Sequence, residues 1–317
     1  MKNFKWIGMA IALVLYASCS SIPVKTIEEK YTNSESKFIE VDNMRVHYRD
    51  EGTGPVVVLL HGMLSSLHTW DGWTEVLKAN YRVVRLDIPG FGLTGPAPKG
   101  YIYSGRNVVK SLNTIFDKMG LTKFSLAGSS LGGYFAWEYS LVYPARVENL
   151  ILIDPAGYPQ EVPGPIKLLT APVIGPLATV ITPKFLISHY LKQVYGDPSK
   201  MSQDTTDRYY NILMREGNRQ SSKEILTVMK ANSNNPNVTR YIAKLNTMSV
   251  PVLVMWGDKD IWVPTSILEN WKADLPRAEY VVFKGAGHVP MEEIPVETVT
   301  AAIKFMSGKL AADMPGK

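Results

Sequence analysis

Cysteine is nearly missing from this chain: Cys19 is the only one. A lone cysteine cannot close an intrachain disulfide, and it cannot build a cysteine-rich metal centre. No H-E-x-x-H segment and no clustered Cys/His spacing occurs, so the sequence offers no ready-made zinc site. The formal charge is +5, but Lys and Arg are dispersed, with no basic run and no interleaved aromatic stripe. That distribution argues against nucleic acid as a partner. Internal repeats and low-complexity segments are absent too. With 317 residues and 45% apolar composition, the chain can bury a full core, which excludes a disordered protein. The length fits one large α/β domain with an insertion, or two modest domains.

The first residues, "MKNFKWIGMAIALVLYASCSS", carry Lys2 and Lys5, then an apolar run from Trp6 to about Tyr16, then small residues. This is the layout of a secretory signal peptide over 1–18. The run is too short to span a bilayer comfortably. "YASC" resembles the processing site of bacterial lipoproteins, in which the cysteine becomes the lipidated first residue. Tyr16 stands where that pattern usually has Leu. The expectation is export to the cell envelope with Cys19 as a lipid anchor to a membrane. Cleavage before Cys19 would remove two lysines and leave +3 from +5. The polar stretch 19–36 would then serve as a tether.

Downstream, "KFIEVDNMRVHYRDEG" predicts two short strands around an Asp42-Asn43 turn. "PVVVLLHG", "YRVVRLDIPGFG", "KFSLAGSS", "VENLILIDP", "PVLVMWGD" and "AEYVVFKGAG" each hold a continuous apolar run, as a strand buried on both faces should. Helical patterns separate most of them, at Trp70–Ala79, Ser104–Met119, Leu131–Tyr143, Thr265–Leu275 and Val296–Leu310. Strand–helix alternation implies a mostly parallel eight-stranded sheet with helices on both faces. Between Asp154 and Pro251 no buried strand is legible. Prolines and amphipathic segments there predict a helical insertion over 158–249, with Thr182 and Asp204 as N-caps and Gly196 and Gly217 as stops. The core would then comprise 37–157 and 250–312.

Gly128-Ser129-Ser130-Leu131-Gly132 fits G-x-S-x-G, with Ser130 at the centre of a strand-to-helix turn. Glycines around it permit a turn that sharp, and Ser129 falls at the variable position. A serine hydroxyl needs a base within reach, and the base needs an orienting acid. In the required order, "MWGDKDIWVP" supplies Asp258 and Asp260, and "KGAGHVPMEEIP" supplies His288 in a loop. His47, His68 and His189 sit in patterns that suggest packing or surface roles. The amide of Leu131, at the start of the helix, would be one oxyanion donor. "DIPGFG" lacks a dinucleotide fingerprint and reads as a turn after a strand.

Over about residues 37–310, "LLHGM", "RLDIPGFGLT", "LAGSSLGG", "VLVMWGDKDIWVP" and "GAGHVPMEEIP" occur in the order found in the α/β-hydrolase superfamily. The chain resembles its serine hydrolase branch, esterase- and lipase-like, with a helical cap. The family's G-x-x-D-x-x-x-P is filled by Gly257, Asp260 and Pro264, so the resemblance implies Asp260 as the acid and leaves Asp258 as a turn residue. It also implies Met63 as the second oxyanion donor, with His61-Gly62 shaping the loop.

The expected activity is a serine hydrolase cutting carboxylic esters of a small, mostly apolar acyl substrate, with no metal or organic cofactor. The alternatives on the same three residues are thioesterase, amidase, C–C bond hydrolase and cofactor-free haloperoxidase or perhydrolase chemistry. Relatives that act on alkyl halides and epoxides use an aspartate nucleophile, against which Ser130 argues. A non-catalytic binding or envelope interaction protein is the remaining reading. The apolar "PIKLLTAPVIGPLATVI", with Phe185, Tyr190 and Tyr195, is expected to roof the pocket.

Overall fold

A computed structural model describes residues 20–232 and 237–310. The leader and Cys19 lie outside the described residues. Eight strands form one sheet: β1 Ser36–Val41, β2 Met44–Glu51, β3 Val56–Leu60, β4 Arg82–Leu86, β5 Phe124–Ser129, β6 Val147–Ile153, β7 Val252–Gly257 and β8 Glu279–Phe283. Their order is β1-β2-β4-β3-β5-β6-β7-β8. β1–β2 and β2–β4 are antiparallel, and every other pair is parallel. The β1–β2 turn has Asp42 at φ 50° and Asn43 at φ 61°. Two successive positive φ values are what a two-residue hairpin needs, and Asp and Asn tolerate them best.

The apolar runs are continuous because both faces of the sheet are covered. Val58, Leu60, Leu126, Leu152 and Val254 point to one core. Their neighbours Val57, Leu59, Ala127, Ile151 and Leu253 point to the other. Helices α3 (Gly105–Lys118), α4 (Leu131–Val142), α10 (Val238–Leu245) and α11 (Leu268–Asp274) supply side chains to the first core. Helices α2 (Asp71–Leu77) and α13 (Pro295–Met306) supply the second. A fully buried Leu or Ile contributes roughly 1.5–3 kcal/mol here. Helix α3 begins where its cap dictates: Ser104 Oγ accepts from the Asn107 amide.

The structure adds detail to the expected organisation at four points. Residues 19–36 are not simply a tether. Val24–Tyr31 form α1, whose Ile27 is buried against Leu93 and Ile212. Ile22 also pairs with the insertion, its amide donating to Met214 O at 2.8 Å. Within 158–249, α10 packs into the main core, and Tyr158 lies on Trp271 and bonds Asp274. The helices that roof the strand ends are α5 Gly164–Leu169, α6 Ile174–Ala178, α7 Lys184–Lys192, α8 Gln203–Met214 and α9 Asn218–Asn232. The caps also differ. Ser202 caps α8 by accepting from the Thr205 amide, while the Thr182 hydroxyl donates back to Ala178 O. Last, a short helix α12 (Pro290–Glu293) follows the His288 loop.

Candidate active site

Ser130 stands between β5 and α4 at φ 52°, ψ −116°. No ordinary well lies there for an L-residue, and such strain costs of order 1–3 kcal/mol. Surrounding packing enforces it. A Cβ on Gly128 would lie 2.3 Å from Gly132 O, and one on Gly132 would lie 2.3 Å from Leu60 O. The glycines of the motif are therefore required by close backbone approach. Leu64 (φ 55°) and Asp154 (φ 44°) are strained as well. Among the described residues, all the positive-φ non-glycine residues apart from the hairpin pair lie at or beside this one site. Backbone strain tends to gather at functional positions.

The loops after β7 and β8 bring the expected partners together. His288 Nδ1 lies 2.7 Å from Asp260 Oδ2, and His288 Nε2 lies 2.9 Å from Ser130 Oγ. All three residues are buried. A carboxylate only accepts, so Nδ1 carries the proton and Nε2 is free to accept from the serine hydroxyl. Asp260 Oδ1 takes the amides of Trp262 (2.7 Å) and Val263 (3.0 Å), which fixes the carboxylate. Asp258 instead accepts from the Gly285 amide and holds the neighbouring turn. Trp262 lies parallel to the His288 ring, 6.4 Å between centroids.

The loop after β3 faces the serine. Among the described residues, neither the Met63 amide nor the Leu131 amide is paired with a protein acceptor. His61 braces this loop: Nε2 accepts from the Ile88 amide at 3.0 Å, and Nδ1–H donates to Gly62 O at 2.7 Å. Burial lowers its pKa and keeps the ring neutral. Asp87, from "DIPGFG", also serves this loop, accepting from the Leu67 and Leu93 amides at 2.7 Å each. Burial alone would raise its pKa, but His47, bonded at 2.7 Å, holds it below the usual carboxylate range.

Three further acids, not singled out from the sequence, stand around the site. Asp154 follows β6, is fully buried, and accepts from the Gly257 amide at 2.9 Å. Its other oxygen has no partner among the described residues. Ligand atoms of Asp154, Asp260 and His288 lie within 4.8 Å of one another. Burial first, and then the charge of Asp260, push the Asp154 pKa well above the ordinary value. A carboxyl held protonated suits hydrogen bonding better than a cation. Glu293 collects the amides of Gly287, Gly196 and Asp197, clamping the His288 loop to the insertion. Glu292 accepts from Thr69, Tyr209 and Arg208, tying α8 to the core. An "EE" pair after "HVPM" was the one visible signal for the last two.

Above Ser130 lies a cavity whose roof includes Leu168, Leu169, Ile181, Leu186, Ile187 and Leu191. Tyr190 lines it as expected. Phe185 points to solvent, and Tyr195 is buried in the core below, so neither roofs the cavity.

The model of the α/β hydrolase fold family matches residues 55–295. The chain belongs to the α/β-hydrolase family. A 2-hydroxy-6-oxononadienedioate/2-hydroxy-6-oxononatrienedioate hydrolase of Paraburkholderia phymatum is 32% identical, over 80% of this chain and 89% of that relative. A membrane phospholipase A described as a bacterial virulence factor is 25% identical with TM-score 0.72, covering 98% of this chain and 99% of that one. A putative lipase from Acinetobacter baumannii matches with TM-score 0.76 at 21% identity, over 92% of this chain and 98% of that one. The last shares the fold.

Proposed function

We propose that this hydrolase cleaves carboxylic esters of a small, mostly apolar substrate through an acyl-enzyme on Ser130. The observation that carries the reading is the continuous hydrogen-bonded chain Ser130–His288–Asp260 at the floor of an aliphatic cavity. Ser130 Oγ attacks the acyl carbon while His288 Nε2 takes its proton. The oxyanion receives the Met63 and Leu131 amides. Asp260 holds the imidazole in the productive tautomer and stabilises the imidazolium. His288 then protonates the leaving alkoxide, and the acyl-enzyme forms. Water enters, gives its proton to His288, attacks the acyl carbon and releases Ser130. No step asks for a metal or organic cofactor.

A second reading is C–C hydrolysis, and the 32% identical relative favours it. The named substrate of that relative is a dioate, which carries two carboxylates. The cavity roof here is aliphatic, and its cationic lining is limited to Arg219 and Lys223. Arg219 is already engaged by Val180 O and Ser21 Oγ, so burying two carboxylates against Leu and Ile with Lys223 beside them would be costly. An apolar acyl chain fits these walls better. A panel of p-nitrophenyl esters, thioesters, amides and the dioate ring-cleavage product tests the choice. Rates on esters that rise with acyl chain length support the reading. A kcat/KM for the dioate above that for every ester overturns it.

The N-terminal expectation stands as a companion proposal: export and lipid attachment at Cys19. Mass spectrometry of the membrane-extracted protein checks it. A diacylglyceryl mass on Cys19 is expected, and an unmodified N-terminus defeats it.

A further inference from the structure

Large exposed apolar side chains are scattered singly over most of the surface, as is normal. One stretch is different. Val173 (85% exposed), Ile174 (48%), Leu177 (56%), Val180 (48%) and Phe185 (70%) all fall on α6, its flanks and the start of α7. Exposed apolar side chains gathered this densely in one segment point to an interaction site. Other residues of the same segments, Ala178, Ile181 and Leu186, line the cavity over Ser130. One thin layer of helix thus separates the patch from the cavity.

The surroundings of the patch are basic. From Val162 to Gly196 there is no Asp or Glu. Three cations on α9 border the patch segment. Arg219 Nη1 donates to Val180 O at 2.7 Å, Lys223 runs beside Gly175, and Lys230 Nζ donates to Thr170 Oγ1 at 3.2 Å. Lys184, at the start of α7, is paired with Asp207 at 2.7 Å.

The chain also enters the fold at this spot. Arg219, whose Nη1 holds Val180, donates through Nη2 to Ser21 Oγ at 3.0 Å. Ser21 stands two residues after Cys19, so the expected lipid anchor joins the domain beside the patch. Among the described residues, no helix is long and apolar enough to cross a membrane.

We propose that the face formed by Val173, Ile174, Leu177, Val180 and Phe185 docks on an anionic phospholipid bilayer. The apolar side chains enter the acyl boundary and the α9 cations meet the headgroups, at about 1 kcal/mol per basic residue near the surface. The N-terminal segment holds the domain in that orientation. Apolar substrate then passes from the bilayer to the cavity without crossing water. The docking does not depend on which bond the enzyme cuts.

The test uses the full chain with Cys19→Ser, carrying bimane on Leu177→Cys, or on Lys123→Cys as the control. Lys123 is exposed at the opposite end of β5 from Ser130. Vesicles of phosphatidylcholine, with or without phosphatidylglycerol, are added, and brominated acyl chains serve as quenchers. The expected result is a blue shift and at least twofold quenching at position 177 with phosphatidylglycerol. Position 123 should stay unchanged, and 1 M salt should reduce the effect. Bound vesicles that leave position 177 in water overturn the proposal, as does equal quenching at both positions. Equal quenching without phosphatidylglycerol overturns the anionic part. A blue shift without vesicles that grows with protein concentration assigns the face to a second copy instead, and also overturns it. A buried probe on a protein that cuts no ester would retain the docking and refute only the ester reading.

Discussion

Replacing Asp154 by Asn removes a titratable group and little else. Asp154 sits at φ 44°, which Asn tolerates better than most residues. An Asn Oδ1 can still accept from the Gly257 amide, now bonded at 2.9 Å. The proton is what changes. Burial and the charge of Asp260 raise the Asp154 pKa in the fold, so the folded protein keeps a proton that the unfolded chain releases above about pH 4. The native state then binds more protons, and stability falls as pH rises from the unfolded pKa toward the folded one. The ceiling on that loss is about 1.4 kcal/mol per pH unit. Asn carries no such proton. The stability of Asp154→Asn relative to the native protein should therefore rise between pH 5 and pH 7, by at most ~2.7 kcal/mol. Equilibrium urea unfolding of both proteins at several pH values reads this directly, because other titrating groups largely cancel in the difference. Parallel stability curves for the two proteins would refute a protonated Asp154.

Asp260→Asn should lower kcat by roughly 10⁴ with little change in fold, since Asn cannot fix the proton on His288 Nδ1, whereas Asp258→Asn should leave the rate within a fewfold; steady-state ester kinetics separate the two. Gly132→Ala would place a methyl 2.3 Å from Leu60 O, so soluble yield and activity should both collapse, and an active, stable variant would contradict the packing of the elbow. Ile27→Ala should cost about 2–5 kcal/mol in unfolding free energy if α1 is an integral part of the fold, and nothing measurable if residues 19–36 act only as a tether.

The sheet was legible because its chemistry is local. A strand covered on both faces must be apolar throughout, and "VVVLL" or "ENLILI" has no other economical reading. Ser130 could be found for a similar reason, since glycines two residues to either side are a local steric demand. Chain order pointed to His288 and left Asp258 and Asp260 open; the family resemblance selected Asp260. The remaining features depend on partners distant in sequence. Glu293 acts through amides nearly a hundred residues away, and Asp154 through Gly257. A single acid in "LILIDP" carries no mark of a protonated side chain. Helix α1 has too few apolar residues to show a period, and its place is set by Leu93 and Ile212. Phe185 and Tyr195 are both aromatic in an apolar insertion, but only tertiary packing sends one to solvent and the other into the core.

The central claim is that Ser130 is the nucleophile of a working hydrolase. Treatment of the purified protein with a fluorophosphonate probe, followed by peptide mass spectrometry, tests it most directly. A single stoichiometric phosphonyl adduct on Ser130 is expected, absent in Ser130→Ala and strongly slowed in His288→Ala. An unlabelled Ser130, or full labelling and esterase activity in Ser130→Ala, would contradict it.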